Sequence, residues 1–255
     1  DARNMVMDTL ANMGFRDLTL LASSLNEIHE PLIGHIKNGV VTHIETSGMR
    51  GKLADAISEG IMDFPVVFRS HGGRAAALES KELHIDVAFL GAPTSDPYGN
   101  ANGYSRETEG ESTSCGSLGY AKMDAQFADK CVIITDTIVP FPNAPFGIPE
   151  SQVDCVVKVD KVGDASKIMS GATRFTTNPK ELLIAQTASY VIEHSGYLSD
   201  GFSMQMGSGG ASLAVARTLR ERMLERKIKA RFALGGITGQ IVEMHEEGLI
   251  QRILD

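Results

Sequence analysis

The 255 residues are 42% hydrophobic and 22% charged, a globular composition sized for one large domain or two smaller ones. With 24 basic against 32 acidic residues the formal charge is −8, so the surface as a whole repels a phosphate backbone and a nucleic-acid binder is excluded as the first reading. No apolar run approaches the roughly 18 residues of a membrane span, and no basic-then-apolar leader opens the sequence. Cys115, Cys131 and Cys155 fit neither a disulfide framework nor a zinc spacing, so reduced, buried, structural thiols in a cytoplasmic protein are expected. A start at Asp1 rather than Met, directly inside a helical pattern, predicts a piece of a longer product.

Val6, Leu10 and Met13 recur at helical spacing and stop at Gly14, after which Asp17–Leu21 reads as a short buried strand. The alternation repeats. A helix over Pro31–Asn38 ends at Gly39 before a strand Val40–Ile44, and a helix over Lys52–Glu59 ends at Gly60 before a buried strand Pro65–Arg69. A helix Ala75–Leu83 precedes a strand Ile85–Leu90, and strands at Val132–Thr135 and Val153–Val159 complete a parallel sheet covered on both faces. Asp96–Gly103 and Arg106–Ser114 read as long loops at strand ends, the second of them mobile. The pattern lapses around residues 160–178, where a domain boundary is placed. Asn178, Pro179 and Glu181 then spell a cap, a first helical proline and a capping-box acid. The fold class is therefore α/β with mainly parallel sheets, in two tandem domains over residues 1–165 and 178–255.

A weak internal repeat supports the tandem reading. Pro31–Ile44 lies over Gln240–Ile253 with glycine and apolar positions in register, Gly39 falling on Gly248, and Val6–Leu21 finds a longer counterpart in Leu213–Leu234. The competing explanation is that any two helix–glycine–strand units look alike. If the repeat holds, the second domain is incomplete, because the first continues far beyond Ile44 whereas the second stops two residues after Ile253.

Three segments carry candidate chemistry. Phe202–Met206 reads as a strand and Gly207-Ser208-Gly209-Gly210 as a tight loop feeding a helix Ala211–Arg226, whose amino end suits a phosphate, a carboxylate or a thioester oxyanion. A dinucleotide fingerprint is disfavoured, since Ser212 takes the third glycine position and the next strand, Arg231–Leu234, ends in Gly235-Gly236 where a ribose-binding acid belongs. His71-Gly72-Gly73-Arg74, placed between strand and helix, offers an acid or base and a bidentate carboxylate clamp, or simply a Gly-Gly turn. Asn100 and Asn102 lie in a run of turn formers after a strand, with amides that either face a ligand or only shape the turn. Cys115 has no histidine at a fixed nearby spacing, which makes a nucleophile the weaker reading. The 7 histidines make no H-x-x-x-H or H-E-x-x-H pair, so no metal site is expected. Glu243, Glu246 and Glu247 read as a solvated helix face.

Asp86–Pro93 with Asp96 and Gly99-Asn100, followed by Ala128–Thr135 and Val153–Val159, resembles the first domain of coenzyme A transferases. The whole chain, through Ser70–Arg74, Gly99–Gly103, Cys115–Tyr120, Gly171–Pro179, Gly201–Val215 and Phe232–Thr238, is similar to the α chains of bacterial citrate lyases. That resemblance implies two tandem coenzyme A transferase-like domains, truncated here at both ends. It also implies a transferase that exchanges acetate for citrate on an acyl-carrier thioester. The implied partners are a β chain that cleaves citryl-thioester and an acyl carrier γ chain bearing a dephospho-coenzyme A-derived prosthetic group, within a homo-oligomer. No cofactor is bound covalently to this chain in that scheme. His71, Gly72, Gly73, Arg74, Asn100 and Asn102 are then expected to hold citrate or the acyl group, and Gly207, Ser208, Gly209 and Gly210 the thioester. Arg74 is expected to be replaceable without harm to the fold. The resemblance assigns no covalent residue. Another transferase or thioester hydrolase of the same fold, and an inactive carrier-binding fragment, are the alternatives.

Overall fold

The computed structural model describes residues 2–104, 115, 118–163, 176–207, 209–235 and 237–254. The chain divides into two compact units, Asp1–Ala165 and Ser166–Asp255. The expected mobile loop Arg106–Ser114 lies outside the described residues.

The first unit opens with α1 (Ala2–Asn12), β1 (Leu18–Ala22), α2 (Leu32–Lys37), β2 (Val41–Thr46), α3 (Lys52–Ser58), β3 (Val67–Phe68) and α4 (His71–Glu79). It continues with β4 (Val87–Gly91), β5 (Thr94–Ser95), β6 (Ala101–Asn102), α5 (Tyr120–Phe127), β7 (Lys130–Thr135) and β8 (Cys155–Lys158). Among the described residues the single sheet expected here is two three-stranded sheets, ordered β1-β2-β3 and β4-β7-β8, with every neighbouring pair parallel. The polar run read as a loop contains β6, which pairs antiparallel with β5 just before the run. Each parallel sheet has its own core. Leu25, Leu32, Val41, Ile44 and Leu53 fill one, and Leu78, Ala88, Leu90, Cys131 and Ile133 the other.

The second unit holds α6 (Pro179–His194), β9 (Phe202–Met206), α7 (Gly210–Arg226), β10 (Ala230–Gly235), α8 (Gly239–Glu246) and β11 (Ile253–Leu254). Its strands form a parallel sheet in the order β11-β10-β9, packed around Leu219, Met223, Ile241 and Met244. The Asn178 side chain accepts a hydrogen bond from the Lys180 amide at 2.9 Å, and Pro179 starts the helix as its missing N–H permits.

The two segments aligned in the sequence end their helices with the same hydrogen bonds. In the first unit the Asn38, Gly39 and Val40 amides donate to the Gly34, Ile36 and His35 carbonyls; in the second, Glu247, Gly248 and Leu249 donate to Glu243, His245 and Met244. Gly39 and Gly248 both take a left-handed φ, +66° and +73°, which closes the helix and turns the chain into the next strand. Leu32 and Ile241, at matching places, are both fully buried. Any helix closed by a left-handed glycine makes this cap, so the two units share it without its deciding between a repeat and a likeness of two glycine-ended helices.

Two further expectations change. Cys131 is buried, but Cys115 and Cys155 are exposed, so three buried thiols is corrected to one. The strand before His71 is two residues long and both, Val67 and Phe68, are exposed rather than buried. It sits at the sheet edge beyond β2 and has one neighbour to cover it. Among the described residues, no helix is long and apolar enough to cross a membrane.

Candidate functional site

In the first unit, the carboxyl end of β3, paired with that of β2, delivers the chain to the amino end of α4. The helix begins four residues earlier than its apolar pattern indicates, at His71, so His71 to Arg74 form its first turn instead of a loop. Ser70 makes this possible: its hydroxyl accepts a hydrogen bond from the Gly73 amide at 3.0 Å. A Cβ on Gly73 would sit 2.8 Å from Ser70 Oγ, so a larger residue there would make the hydroxyl shift. The His71 and Gly72 amides then have no acceptor within the helix and point from its positive end. Gly72 has open space around it, and both residues are exposed.

Arg74 is only 3% exposed. Its guanidinium donates to Asp124 on α5 at 2.5 Å and lies 5.1 Å from the centre of the Tyr120 ring. The His71 ring packs 5.0 Å from Tyr120, centre to centre. Burial raises the Asp124 pKa, and the Arg74 hydrogen bond and charge pull it back down. Burial also raises the Tyr120 phenol, against the influence of the Ser47 hydroxyl. Tyr120 Oη is buried and makes no hydrogen bond of normal geometry. Arg74 therefore serves Asp124 and the Tyr120 ring in this structure, and His71 with the Gly72 amide is the part of the motif that faces outward. Tyr120 and Asp124 escaped sequence reading, because α5 is short and its register toward Arg74 is a tertiary contact.

Asn100 and Asn102 are buried and their amides are directed to the protein itself. Asn100 Nδ2 donates to Asp96 Oδ2 at 2.8 Å and to Glu150 at 3.1 Å, and its Oδ1 accepts from the Glu150 amide. Asn102 Nδ2 donates to the Pro145 carbonyl at 2.8 Å and to Asn143, while its Oδ1 accepts from Thr94 and the Tyr104 amide. Asp96, 0% exposed, accepts from the amides of Tyr98, Gly99, Asn100 and Asn143 as well as from Asn100 Nδ2. Burial would raise this carboxyl, but those donors outweigh it and hold it below the ordinary aspartate value. Here the two asparagines shape and lock the turn, the blander of the two sequence readings.

In the second unit, β9 ends at Met206 opposite Gly235 of β10, and both strands open at the same carboxyl edge of the sheet. From β9 the chain passes through Gly207 to Gly209, the cap residue of α7, and Gly210, its first residue. A Cβ on Gly207 would meet Ser212 Oγ at 3.0 Å, so the loop is drawn tightly onto the helix. Ser208 lies outside the described residues. The α8 amino end follows β10 at the same edge, capped by Thr238, which is 6% exposed and whose hydroxyl is buried without a hydrogen-bond partner. Two helix amino ends and a hydroxyl thus stand where α/β sheets take ligands; the hydroxyl was not foreseen, since a lone threonine after Gly-Gly-Ile carries no distinctive signal.

The remaining candidates take plain roles. Burial pushes the Cys131 thiol up to about 11 and the Cys115 thiol is raised by its surroundings too, which argues against a thiolate nucleophile. Glu243 and Glu246 are exposed, and Glu247 pairs with Arg220 through two hydrogen bonds of 2.7 and 2.5 Å.

The family profile described as citrate lyase, alpha subunit, matches residues 1–255. The citrate lyase alpha chain of Escherichia coli (strain K12) is 56% identical over 252 residues, covering 99% of this chain and 48% of that one. The counterpart from Haemophilus influenzae is 55% identical over 252 residues, covering 99% and 49%. Among solved structures, the alfa subunit of citrate lyase from Streptococcus mutans, in complex with citrate, superposes with a TM-score of 0.94 at 58% identity, covering 100% of this chain and 49% of that chain. A malonate decarboxylase alpha subunit from Acinetobacter baumannii shares the fold, with a TM-score of 0.68 at 15% identity over 98% of this chain and 45% of the other. This chain spans about half the length of the curated relatives it matches. On identity that runs through both units, it belongs to the citrate lyase alpha subunit family.

Proposed function

We propose that this chain is the citrate-handling half of a citrate lyase alpha subunit, which moves citrate onto an acyl-carrier thioester and releases acetate. The observation that carries the reading is the 58% identity, over the whole chain, to the Streptococcus mutans alfa subunit solved with citrate. In chemical terms, a citrate carboxylate oxygen adds to the acetyl-thioester carbonyl and expels the carrier thiolate, leaving a mixed anhydride. The thiolate then adds to the citryl carbonyl of that anhydride and expels acetate. Both additions build negative charge on a carbonyl oxygen, which amides at a helix amino end are suited to stabilise.

The roles divide by geometry. The His71 and Gly72 amides, with the His71 ring, hold a carboxylate of citrate. Arg74 acts as a positioning residue, fixing Tyr120 and through it His71. Asn100 and Asn102 keep the neighbouring turn in shape. The Gly207 to Gly210 turn, Ser208 included, and the Thr238 hydroxyl receive the thioester oxygen or the arm that carries it. The thioester belongs to the dephospho-coenzyme A-derived group of a γ carrier chain, a β chain cleaves the citryl-thioester to oxaloacetate and acetyl-thioester, and the α subunits assemble as a homo-oligomer. The composition supports a cytoplasmic setting.

The half-length coverage favours one narrower version: this chain binds citrate, and turnover needs the remainder of the length its relatives have. Titration calorimetry with citrate, paired with an acetate-release assay on acetyl-carrier protein, tests both. Citrate binding without acetate release supports the narrower version, and binding with release supports the full one. A chain that ignores citrate yet moves acyl groups to another carboxylic acid, or hydrolyses the thioester, refutes the proposal.

A further inference from the structure

At the amino edge of the β4-β7-β8 sheet, opposite the edge where ligands are expected, three metal-ligating side chains converge. Asp86 immediately precedes β4 and Asp129 immediately precedes β7, and the first paired residues of those strands are Val87 and Lys130. The backbone fixes both acids: the Asp129 amide donates to the Ile85 carbonyl and the Lys130 amide to the Asp86 carbonyl, each at 3.0 Å. His84, two residues before Asp86, turns its ring to the same side. Its Nε2 lies 3.1 Å from Asp129 Oδ2 and 3.7 Å from Asp86 Oδ1, and one ligand atom from each residue falls within 4.8 Å of the others.

We propose that His84, Asp86 and Asp129 form a surface site for a divalent transition-metal ion of the zinc type. The spacing fits. A tetrahedral ion held about 2.0–2.2 Å from each ligand sets neighbouring ligand atoms roughly 3.3–3.5 Å apart. The observed pair of distances brackets that value, so a small rotation of exposed side chains closes the site. One imidazole with two carboxylates selects zinc, cobalt or nickel over magnesium and calcium, which prefer all-oxygen shells. On the same edge, the Lys130 ammonium is hydrogen-bonded to Asp154 at 2.8 Å. All three ligands are exposed, leaving the remaining positions to water. Bound there, it ties the starts of β4 and β7 together. No pair of ligands at helical spacing announces the site, since its third member comes from another strand.

The test is titration of the chain with Zn²⁺ alone by calorimetry and with Co²⁺ by visible absorption, alongside the thermal midpoint. The expected result is one equivalent bound in the micromolar range, cobalt d–d bands of a low-symmetry site, and a midpoint that rises with Zn²⁺. His84→Ala and Asp129→Asn are each expected to weaken binding at least tenfold and remove the midpoint shift, with an unchanged far-ultraviolet spectrum. His194→Ala, on the other unit, is the control and should bind as the parent does. Absence of stoichiometric binding, or binding that survives His84→Ala, reduces the cluster to an ion pair and overturns the proposal.

Discussion

Replacing Arg74 with alanine separates two views of this residue. As a solvent-facing citrate clamp, Arg74 is dispensable to the fold. The structure instead places its side chain at 4% exposure against Asp124 at 15%, with 2.5 Å between Nη1 and Oδ1. Removing one member of a buried pair leaves the other charged and desolvated, at a cost of about 3–5 kcal/mol. Loss of the guanidinium beside Tyr120 adds about 0.5–2 kcal/mol. Proton uptake limits the damage. Burial already raises the Asp124 pKa, and without Arg74 nothing pulls it back, so the variant's carboxyl becomes protonated more readily. A folded-state pKa above the unfolded value gives stability that is present at low pH and lost as pH rises through it. The Arg74→Ala penalty is therefore expected to be about 3 kcal/mol or more near pH 8 and distinctly smaller near pH 5. Urea unfolding followed by circular dichroism at both pH values measures it, and Arg74→Ala combined with Asp124→Asn should be less destabilised than Arg74→Ala alone at pH 8. A single variant within 0.5 kcal/mol of the parent at pH 8 refutes the reasoning and returns Arg74 to the role of a surface ligand.

Four further outcomes are expected. His29, 4% exposed, has its pKa lowered to about 4, first by burial and then by the Arg3 guanidinium, so the unfolded chain binds its proton first; stability should fall by about 3 kcal/mol between pH 6.5 and 4, and His29→Gln should flatten that part of the unfolding profile. Asp96→Asn exchanges a carboxylate that accepts five hydrogen bonds for an amide whose N–H₂ faces donors, and a loss of about 2–4 kcal/mol in chemical denaturation checks it. Ser70→Ala removes the α4 cap, which should cost about 1 kcal/mol and weaken citrate binding in calorimetry by loosening the His71 and Gly72 amides. Lys227 closes α7 in a left-handed conformation, φ +55°, so Lys227→Gly is expected to raise the unfolding midpoint, with a gain of up to about 1 kcal/mol.

The local elements were legible from short-range chemistry alone. Apolar spacing and the glycine stops of α1, α2 and α8, the Asn178 cap of α6, and β9 with Phe202–Met206 as its bounds all follow from residues within a turn or two of each other. The two helix–glycine–strand units were readable for the same reason, since a helix, its glycine cap and the next strand form one contiguous stretch. The α4 start was missed by four residues because His71-Gly72-Gly73 has poor helix propensity, and what overrides it is the Ser70 hydroxyl.

What sequence by itself determined is the alternation of helix and parallel strand, and the family. Tertiary structure decided which polar groups face outward. Arg74, Asn100 and Asn102 belong to residue types that serve equally as ligands or as braces, and their use depends on Asp124, Glu150 and Asn143, each about 40 to 50 positions away along the chain. The same holds for His84, Asp86 and Asp129, brought together by the pairing of β4 with β7. Burial fixes the choice: a desolvated charge or amide must be satisfied by whatever the fold sets beside it, and only the folded chain specifies that neighbour.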